Sequence, residues 1–126
     1  MAGFKIMDIN EVEWKRDWPR GLSSCVMKMS PDATLQYWEI PPGGGADPHS
    51  HPEAQLSYVQ TGVMKFTVDG EEHIVREGCF AYIPGGAVHA SDNIGSSTVV
   101  NIDFFMPDRD DREESPKVRD ISLEVK

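Results

Sequence analysis

Apolar and polar residues alternate along the middle of the chain with a period of two, which is the side-chain period of a β-strand. Residues 63–68 (VMKFTV), for example, place Met64, Phe66 and Val68 on one face. The same pattern of β-branched and aromatic residues between Gly, Pro and Asp turns predicts strands at 34–40, 55–61, 63–68, 71–76, 79–83 and 97–106. Asp69-Gly70 is a strong hairpin signal between the third and fourth of these.

Helical periodicity is absent from every segment of about twelve residues that is free of Gly and Pro, so almost no helix is expected. Short strands separated by turns predict an all-β antiparallel sandwich or barrel. At 126 residues the chain is expected to form a single domain, 1–126, with a barrel core over about 22–106. Trp14 and Trp18 are predicted to cover an edge or an end of this barrel.

The last segment, 107–126, carries seven acidic and five basic residues and is interpreted as a charged, solvated C-terminal tail. A short strand is predicted within it at 121–125 (ISLEV). The whole chain has a formal charge of −9, which disfavours nucleic acid and anionic membranes as partners. No apolar run approaches the roughly 18 residues of a membrane span, and the N-terminus lacks a signal-peptide core, so a cytoplasmic protein is expected.

Two cysteines, Cys25 and Cys79, are too few for a disulfide framework or a C-x-x-C metal site. Both lie in apolar stretches, which favours free buried thiols, although a bridge between them stays open as an alternative.

The candidate chemistry lies in the histidines. His49 and His51 are two residues apart, an arrangement that lets both imidazoles face one side of an extended strand and share a metal ion at about 2.0–2.1 Å. An isolated H-x-H pair is weak evidence, because polar turn histidines are common. His73, on the predicted hairpin after Asp69-Gly70, is interpreted as a surface or sheet-face residue.

The surroundings of the pair strengthen this interpretation, because they resemble the first conserved motif of the cupin superfamily: a glycine, H-x-H, three residues, an acid and a later glycine. The matching positions are Gly45, His49, His51, Gln55 and Gly62.

A second run downstream resembles the second cupin motif at each of its fixed positions. These are Gly78, Pro84, Gly86, His89 and Asn93. Two motifs in the correct order are far more specific than either one, and the resemblance implies a small double-stranded β-helix, or jelly-roll, barrel with a metal in its mouth.

Carried over residue by residue, the resemblance implies that the metal ligands are His49, His51, Gln55 and His89. Gln55 stands where most metal-binding cupins have glutamate; Glu53 is the alternative, but the motif spacing favours position 55. The identity of the divalent ion stays open among Zn, Ni, Fe, Mn and Co. A neutral amide ligand leaves the full +2 charge on such an ion, which favours non-redox chemistry on an anionic substrate.

The end of the last long strand resembles one particular group of small cupins, the KdgF-type pectin-degradation proteins, which carry D-x-F-x-P-x-R-[DE] there. The matching residues are Asp103, Phe105, Pro107, Arg109 and Asp110. The same group uses H-x-H-x-x-x-Q for its metal. Its members open the ring of 4,5-unsaturated uronates released from pectin or alginate.

This second resemblance implies roles for three residues. Asp103 is expected to be the catalytic acid/base, Arg109 to take part in catalysis and clamp the substrate carboxylate, and Phe105 to pack against the sugar ring. The alternatives are that Asp103 points outward from a half-solvated sheet and that Arg109 is an ordinary residue of the tail.

The function expected is therefore metal-dependent ring opening and ketonisation of an unsaturated uronate, a small anionic carbohydrate. An iron-dependent cupin dioxygenase and a non-catalytic sugar- or metabolite-binding cupin are the alternatives. By analogy with other small cupins, a homodimer formed by exchange or pairing of edge strands is also expected.

Overall fold

The computed structural model describes residues 4–29 and 31–124. In chain order, its strands and helical turns are β1 (Lys5–Ile6), a 3₁₀ turn (Pro19–Gly21), β2 (Ser23–Met29), β3 (Ala33–Ile40), β4 (Gly45–His49), β5 (Ala54–Thr61), β6 (Val63–Val68), β7 (Glu71–Arg76), β8 (Phe80–Ile83), β9 (His89–Asn93), β10 (Val99–Met106), β11 (Arg119–Asp120) and α1 (Ile121–Glu124).

Two antiparallel sheets enclose the interior of the barrel. The first has five strands in the order β2-β3-β10-β5-β8, and the second has four in the order β4-β9-β6-β7. The two-residue strands β1 and β11 pair separately. This all-β architecture confirms the fold class predicted from the hydrophobic alternation.

All six predicted strands occur, with ends displaced by at most two residues. The Asp69-Gly70 hairpin has positive φ angles of 48° and 84°, as a tight two-residue turn between β6 and β7 requires. The strand β2 and the two-residue strands β1 and β11 were not predicted. The strands β4 and β9 were also missed, because GADPH and HASDN are polar and lack an apolar alternation. Their exposed or half-buried positions surround the mouth of the barrel, where few apolar side chains are needed.

The hydrophobic core lies between the two sheets. Ile40, Val59 and Val99 come from the five-stranded sheet, and Met64 and Phe66 from the facing strand β6. Met64 and Phe66 are 1% and 4% exposed, as their shared face predicted.

Both tryptophans of the N-terminal segment pack against the five-stranded sheet. Trp18 lies 5.1 Å from Trp38 between ring centroids, and its indole N–H donates to Ser24 Oγ at 2.9 Å. Trp14 contacts Tyr37 edge-on. Their predicted covering role is therefore confirmed.

The prediction of a solvated segment after Pro107 is wrong in part for 108–115, because Arg109 is buried and four more of these residues are half-buried, although 110, 111 and 113 are exposed. Ser115 exchanges two hydrogen bonds with the backbone of Val26 in β2, and the Lys28 ammonium donates to the carbonyl oxygens of Arg109 and Arg112. The segment covers the free edge of β2, whose unpaired backbone groups take up its hydrogen bonds. The expected homodimer stays a prediction, and this edge is already occupied within the chain.

The predicted strand at 121–125 is also wrong over its described part, since Ile121–Glu124 forms one helical turn. Residue 125 lies outside the described residues. The Arg119 guanidinium donates to both carboxylate oxygens of Glu124, which closes this turn. Alternation over five residues is too short to distinguish a strand from such a turn.

The two thiols have different environments, and both are free. Cys25 is buried, as predicted, and burial raises the pKa of its thiol to about 11. Cys79 is exposed, which corrects the expectation that both thiols are buried. Among the described residues, no helix is long and apolar enough to cross a membrane.

Candidate functional site

Three histidines meet at the mouth of the barrel, where β4 pairs with β9. His49 is the last residue of β4 and lies opposite His89, the first residue of β9. His51 follows two residues later, beyond the end of β4, so strand alternation is not what aligns it with His49. One ring nitrogen from each of the three lies within 4.8 Å of the others. The structure therefore brings together the three predicted imidazole ligands.

Backbone carbonyl groups fix the orientation of all three rings. The Nδ1 atoms of His49, His51 and His89 lie 2.7, 2.9 and 2.9 Å from the carbonyl oxygens of residues 47, 53 and 87, respectively. A carbonyl oxygen only accepts, so each Nδ1 must carry the proton, and in the neutral ring each Nε2 is left with a lone pair. Burial is the main cause that lowers the pKa of both His51 and His89, which favours these neutral rings.

The free lone pairs fit a metal ion. Among the described residues, His89 Nε2 is buried and has no hydrogen-bond partner. His51 Nε2 lies 3.1 Å from Gln55 Oε1, so that two acceptor atoms face each other. Both observations are expected where a cation completes the arrangement, and neutral imidazole nitrogens with an amide oxygen suit a transition metal or zinc.

Gln55, rather than Glu53, belongs to this cluster. Gln55 is the second residue of β5 and directs its side-chain oxygen at His51 Nε2. The Glu53 carboxylate lies on the other side of the same ring, 3.7 Å from His51 Nδ1, and 3.8 Å from Arg109 Nε. The side chain at position 55, and not the one at position 53, therefore lies beside the ring nitrogen of His51 that faces the cluster.

Asp103 points into the barrel from β10 and is 6% exposed, which rules out the outward-facing alternative. Its Oδ1 accepts from Ser57 Oγ at 2.6 Å and from Asn101 Nδ2 at 2.8 Å. Burial raises the pKa of this carboxyl above its ordinary value, and hydrogen bonds from Ser57, Asn101, Trp38 and Gln55 act in the opposite direction. A carboxyl group held between these influences is a candidate for proton transfer.

Arg109 is also buried, although it lies in the segment that was interpreted as a solvated tail. Its guanidinium stacks on the Phe105 ring, with its central carbon 4.7 Å from the ring centroid. Its Nε and Nη2 donate to the two oxygens of Asp111 at 3.0 and 2.7 Å. A guanidinium has five N–H donors, and among the residues that the structure describes no acceptor takes the Nη1 hydrogens or the second Nη2 hydrogen.

One cavity, of about 310 Å³, joins these groups. Its volume is in the range of small-molecule sites and is sufficient for a single sugar ring. The predicted site residues in its wall are His49, Gln55, His89, Asp103, Phe105 and Arg109. Phe105 also meets His51 edge-on, at 5.4 Å between ring centroids.

Sequence reasoning missed Trp18, Arg20 and Arg112, which also line the cavity. Arg112 is held by Gln36 and Asp111 and stacks on Trp18. The sequence signal that could have indicated Arg112 is its position three residues after Arg109, in the same segment. Tyr37 and Tyr58 lie outside this lining and contact Trp14 and Phe80, respectively.

The fold and the histidine cluster define a small β-barrel protein with a candidate metal centre at its mouth. The family model for the cupin domain matches residues 36–105, and the chain belongs to the cupin family. No curated protein sequence matches this chain.

Several solved structures share the fold. An RmlC-like cupin from Shewanella frigidimarina has a TM-score of 0.76 and 23% identity, over 83% of this chain and 92% of that one. KdgF from Halomonas sp. has a TM-score of 0.75 and 25% identity, over 88% of this chain and 98% of that one. A cupin-superfamily sugar phosphate isomerase from Silicibacter pomeroyi has a TM-score of 0.70 and 19% identity, over 80% of this chain and 74% of that one. The chain is thus a small cupin that resembles KdgF.

Proposed function

We propose that this protein is a metal-dependent cupin enzyme that opens the ring of 4,5-unsaturated uronates and converts them to linear keto acids. The observation that carries the proposal is one cavity whose wall joins His49 and His89 of the histidine cluster and Gln55 with a buried carboxylate and an arginine on an aromatic ring. Similarity to KdgF over nearly the full length of both chains supports it.

The residues present fit a divalent metal, which His49, His51, Gln55 and His89 would hold. When bound, the ion would supply Lewis-acid polarisation of substrate oxygen atoms. The other residues in the cavity would bind and orient the sugar and move its protons.

Arg109 would bind the substrate carboxylate through its remaining N–H groups, because a guanidinium matches a carboxylate in shape and charge. Its stacking on Phe105 and the bond to Asp111 restrict it to one orientation. Phe105 would in turn offer part of its apolar surface to the sugar ring.

Asp103 would act as the general base and then as the acid. It would take the proton of the hemiacetal hydroxyl as the ring C–O bond breaks, which leaves an aldehyde and an enolate next to the carboxylate. The same proton would be delivered to the enolate carbon to give the ketone, so atoms and charge balance without an added reactant. Proton transfer by a positioned side chain contributes typically about 10²–10⁴-fold to a rate.

The test is incubation of the metal-loaded protein with a panel of unsaturated uronates, followed by the loss of their ultraviolet absorbance. We expect turnover that a chelator abolishes. At saturating metal, Asp103→Ala should lower kcat by about 10²–10⁴-fold, whereas Asp32→Ala, at an exposed acid in the turn after β2, should leave it unchanged.

Full activity of Asp103→Ala would contradict the assigned role of this residue. Oxygen consumption during turnover would indicate the dioxygenase alternative instead. Tight sugar binding without turnover, under each divalent metal tried, would indicate a binding protein.

A further inference from the structure

We propose that Asp103 has a second role as a positioning residue: through Ser57 it fixes the Gln55 amide with its oxygen toward the histidine cluster. The same contacts explain why the ligand at this position is an amide rather than a carboxylate. The inference rests on the metal centre of the proposed function but not on the substrate.

A continuous chain of hydrogen bonds joins the three side chains across β10 and β5. Gln55 Nε2 lies 2.9 Å from Ser57 Oγ, and Ser57 Oγ lies 2.6 Å from Asp103 Oδ1. Asp103 and Ser57 are cross-strand partners, and Gln55 is the next inward-facing residue of β5. All three are buried, so water does not readily replace these partners.

The direction of each bond follows from the chemistry of the groups. The Asn101 amide nitrogen can only donate, so Asp103 Oδ1 acts as an acceptor, and Ser57 gives its one hydroxyl proton to the same oxygen. Ser57 Oγ is then left as an acceptor, and it is the NH₂ group of Gln55 that must face it. The amide oxygen is thereby turned away from Ser57 and toward His51 Nε2, which is 3.1 Å from it.

Asn101 adds to this directionality from the same strand. Its Nδ2 donates to the oxygen of Asp103 that also accepts from Ser57, at 2.8 Å. With two donors directed at it, this oxygen is held as an acceptor, and within the described part of the chain the Ser57 hydroxyl bonds to no other acceptor.

A carboxylate at position 55 would conflict with this chain. The variant Gln55→Glu would place an acceptor against the serine lone pair and a second negative charge next to Asp103. A glutamate here would be compatible only if position 103 could donate, as it could in the variant Asp103→Asn. The serine proton would then point toward position 55, which reverses the direction of both hydrogen bonds that Ser57 makes.

The experiment is Co²⁺ binding to the full-length protein, measured by calorimetry and by the visible absorption of the ion. Loss of a group that orients a metal ligand typically costs about 10–100-fold in metal affinity. We expect a loss of that size in Ser57→Ala. Ser24→Ala, which also removes a buried serine hydroxyl from the same sheet, is the matched control and should bind as the wild type does.

A double-mutant cycle tests the direction of the chain. Asp103→Asn should lower Co²⁺ affinity by about 10-fold or more when position 55 is the natural glutamine. When it is combined with Gln55→Glu, the same substitution should raise the affinity relative to Gln55→Glu alone. If the Asp103 carboxylate acted only as a nearby negative charge, its replacement by asparagine would lower the Co²⁺ affinity in both backgrounds.

Wild-type affinity in Ser57→Ala, a loss of affinity on Asp103→Asn in both backgrounds, or a wild type that does not bind Co²⁺ would each overturn the inference. If the affinities change as expected but the wild type converts no unsaturated uronate, the proposed substrate fails and the inference stands. If the wild type converts an unsaturated uronate but Ser57→Ala binds Co²⁺ as the wild type does, the proposed function stands and the inference fails.

Discussion

The interior of this barrel has two halves that differ in chemistry although they share the same strands. In one half, defined by Ile40, Val59, Met64, Phe66 and Val99, buried side chains are apolar. In the other, defined by Thr34, Gln36, Gln55, Ser57 and Asp103, equally buried side chains are polar or charged.

The strand register shows that buried side chains change from apolar to polar within one strand. Along β10, Val99 lies opposite Ile40, whereas Asp103, four residues further on, lies between Gln36 and Ser57. Burial of apolar surface explains the first half. The second half costs free energy to bury unless every group is hydrogen-bonded, so its residues are better explained by the site that they build.

The largest effect on stability is expected in the apolar half. Phe66→Ala should lower the free energy of unfolding by about 3–5 kcal/mol, because it leaves a cavity between the two sheets. Urea denaturation measures this change. A decrease in unfolding free energy of less than about 1 kcal/mol in Phe66→Ala would mean that the apolar half does not dominate the stability of the fold.

A change in the polar half should affect function more than stability. Arg109→Lys keeps the charge but loses the planar fork and the stacking on Phe105, so kcat/KM should fall by about 10–100-fold. The change in unfolding free energy should be smaller than for Phe66→Ala. The control is Arg119→Lys, at an exposed arginine paired with Glu124, and an equal fall in both variants would contradict the assignment.

A smaller, pH-dependent effect is expected at Asp108, next to the polar half. Hydrogen bonds from Thr34 and then Lys28 hold the pKa of this carboxyl below its ordinary 3.8. The folded state therefore binds this proton less readily than the unfolded state does. The resulting stabilisation is present above the ordinary pKa and is lost as the pH falls through the lower, folded value.

Asp108→Asn should accordingly cost about 1–2 kcal/mol near neutral pH, and the difference from the wild type should shrink below about pH 4. Urea denaturation at neutral pH and below about pH 4 measures this difference in unfolding free energy. The control is Asp110→Asn, which changes an exposed neighbouring residue. A difference that does not depend on pH would show that the charge of Asp108 is not what matters.

Sequence patterns predicted the apolar half well, because alternation reports directly which face of a strand is buried. Met64 and Phe66 were placed correctly on this basis alone. The same period of two puts Asn101, Asp103 and Phe105 on one face of β10. What alternation did not provide was the choice between interior and exterior for a face that mixes Asp with Phe.

The sequence motifs singled out the residues that the structure gathers at the barrel mouth, but not the residues that support them. Motif spacing identified Gln55 and the histidines, whereas Ser57 has no signal in an isolated sequence, since a serine in a strand is common. The position of Arg109 depends on Lys28, which is 81 residues away and binds the carbonyl of Arg109. Long-range contacts of this kind turn an apparently solvated charge run into a wall of the cavity, and composition does not reveal them.

The segment at 108–115 supplies two arginines to the cavity while its own backbone is attached outside the barrel, along β2. The cavity is thus built from two parts: the barrel, whose two sheets and the loop after β4 carry the candidate metal ligands, and a connecting segment, which carries Arg109 and Arg112. Under the proposed function, exchange of this segment with its anchors to Lys28 and Val26 retained should alter which substrate the cavity accepts, while the apolar half keeps its packing.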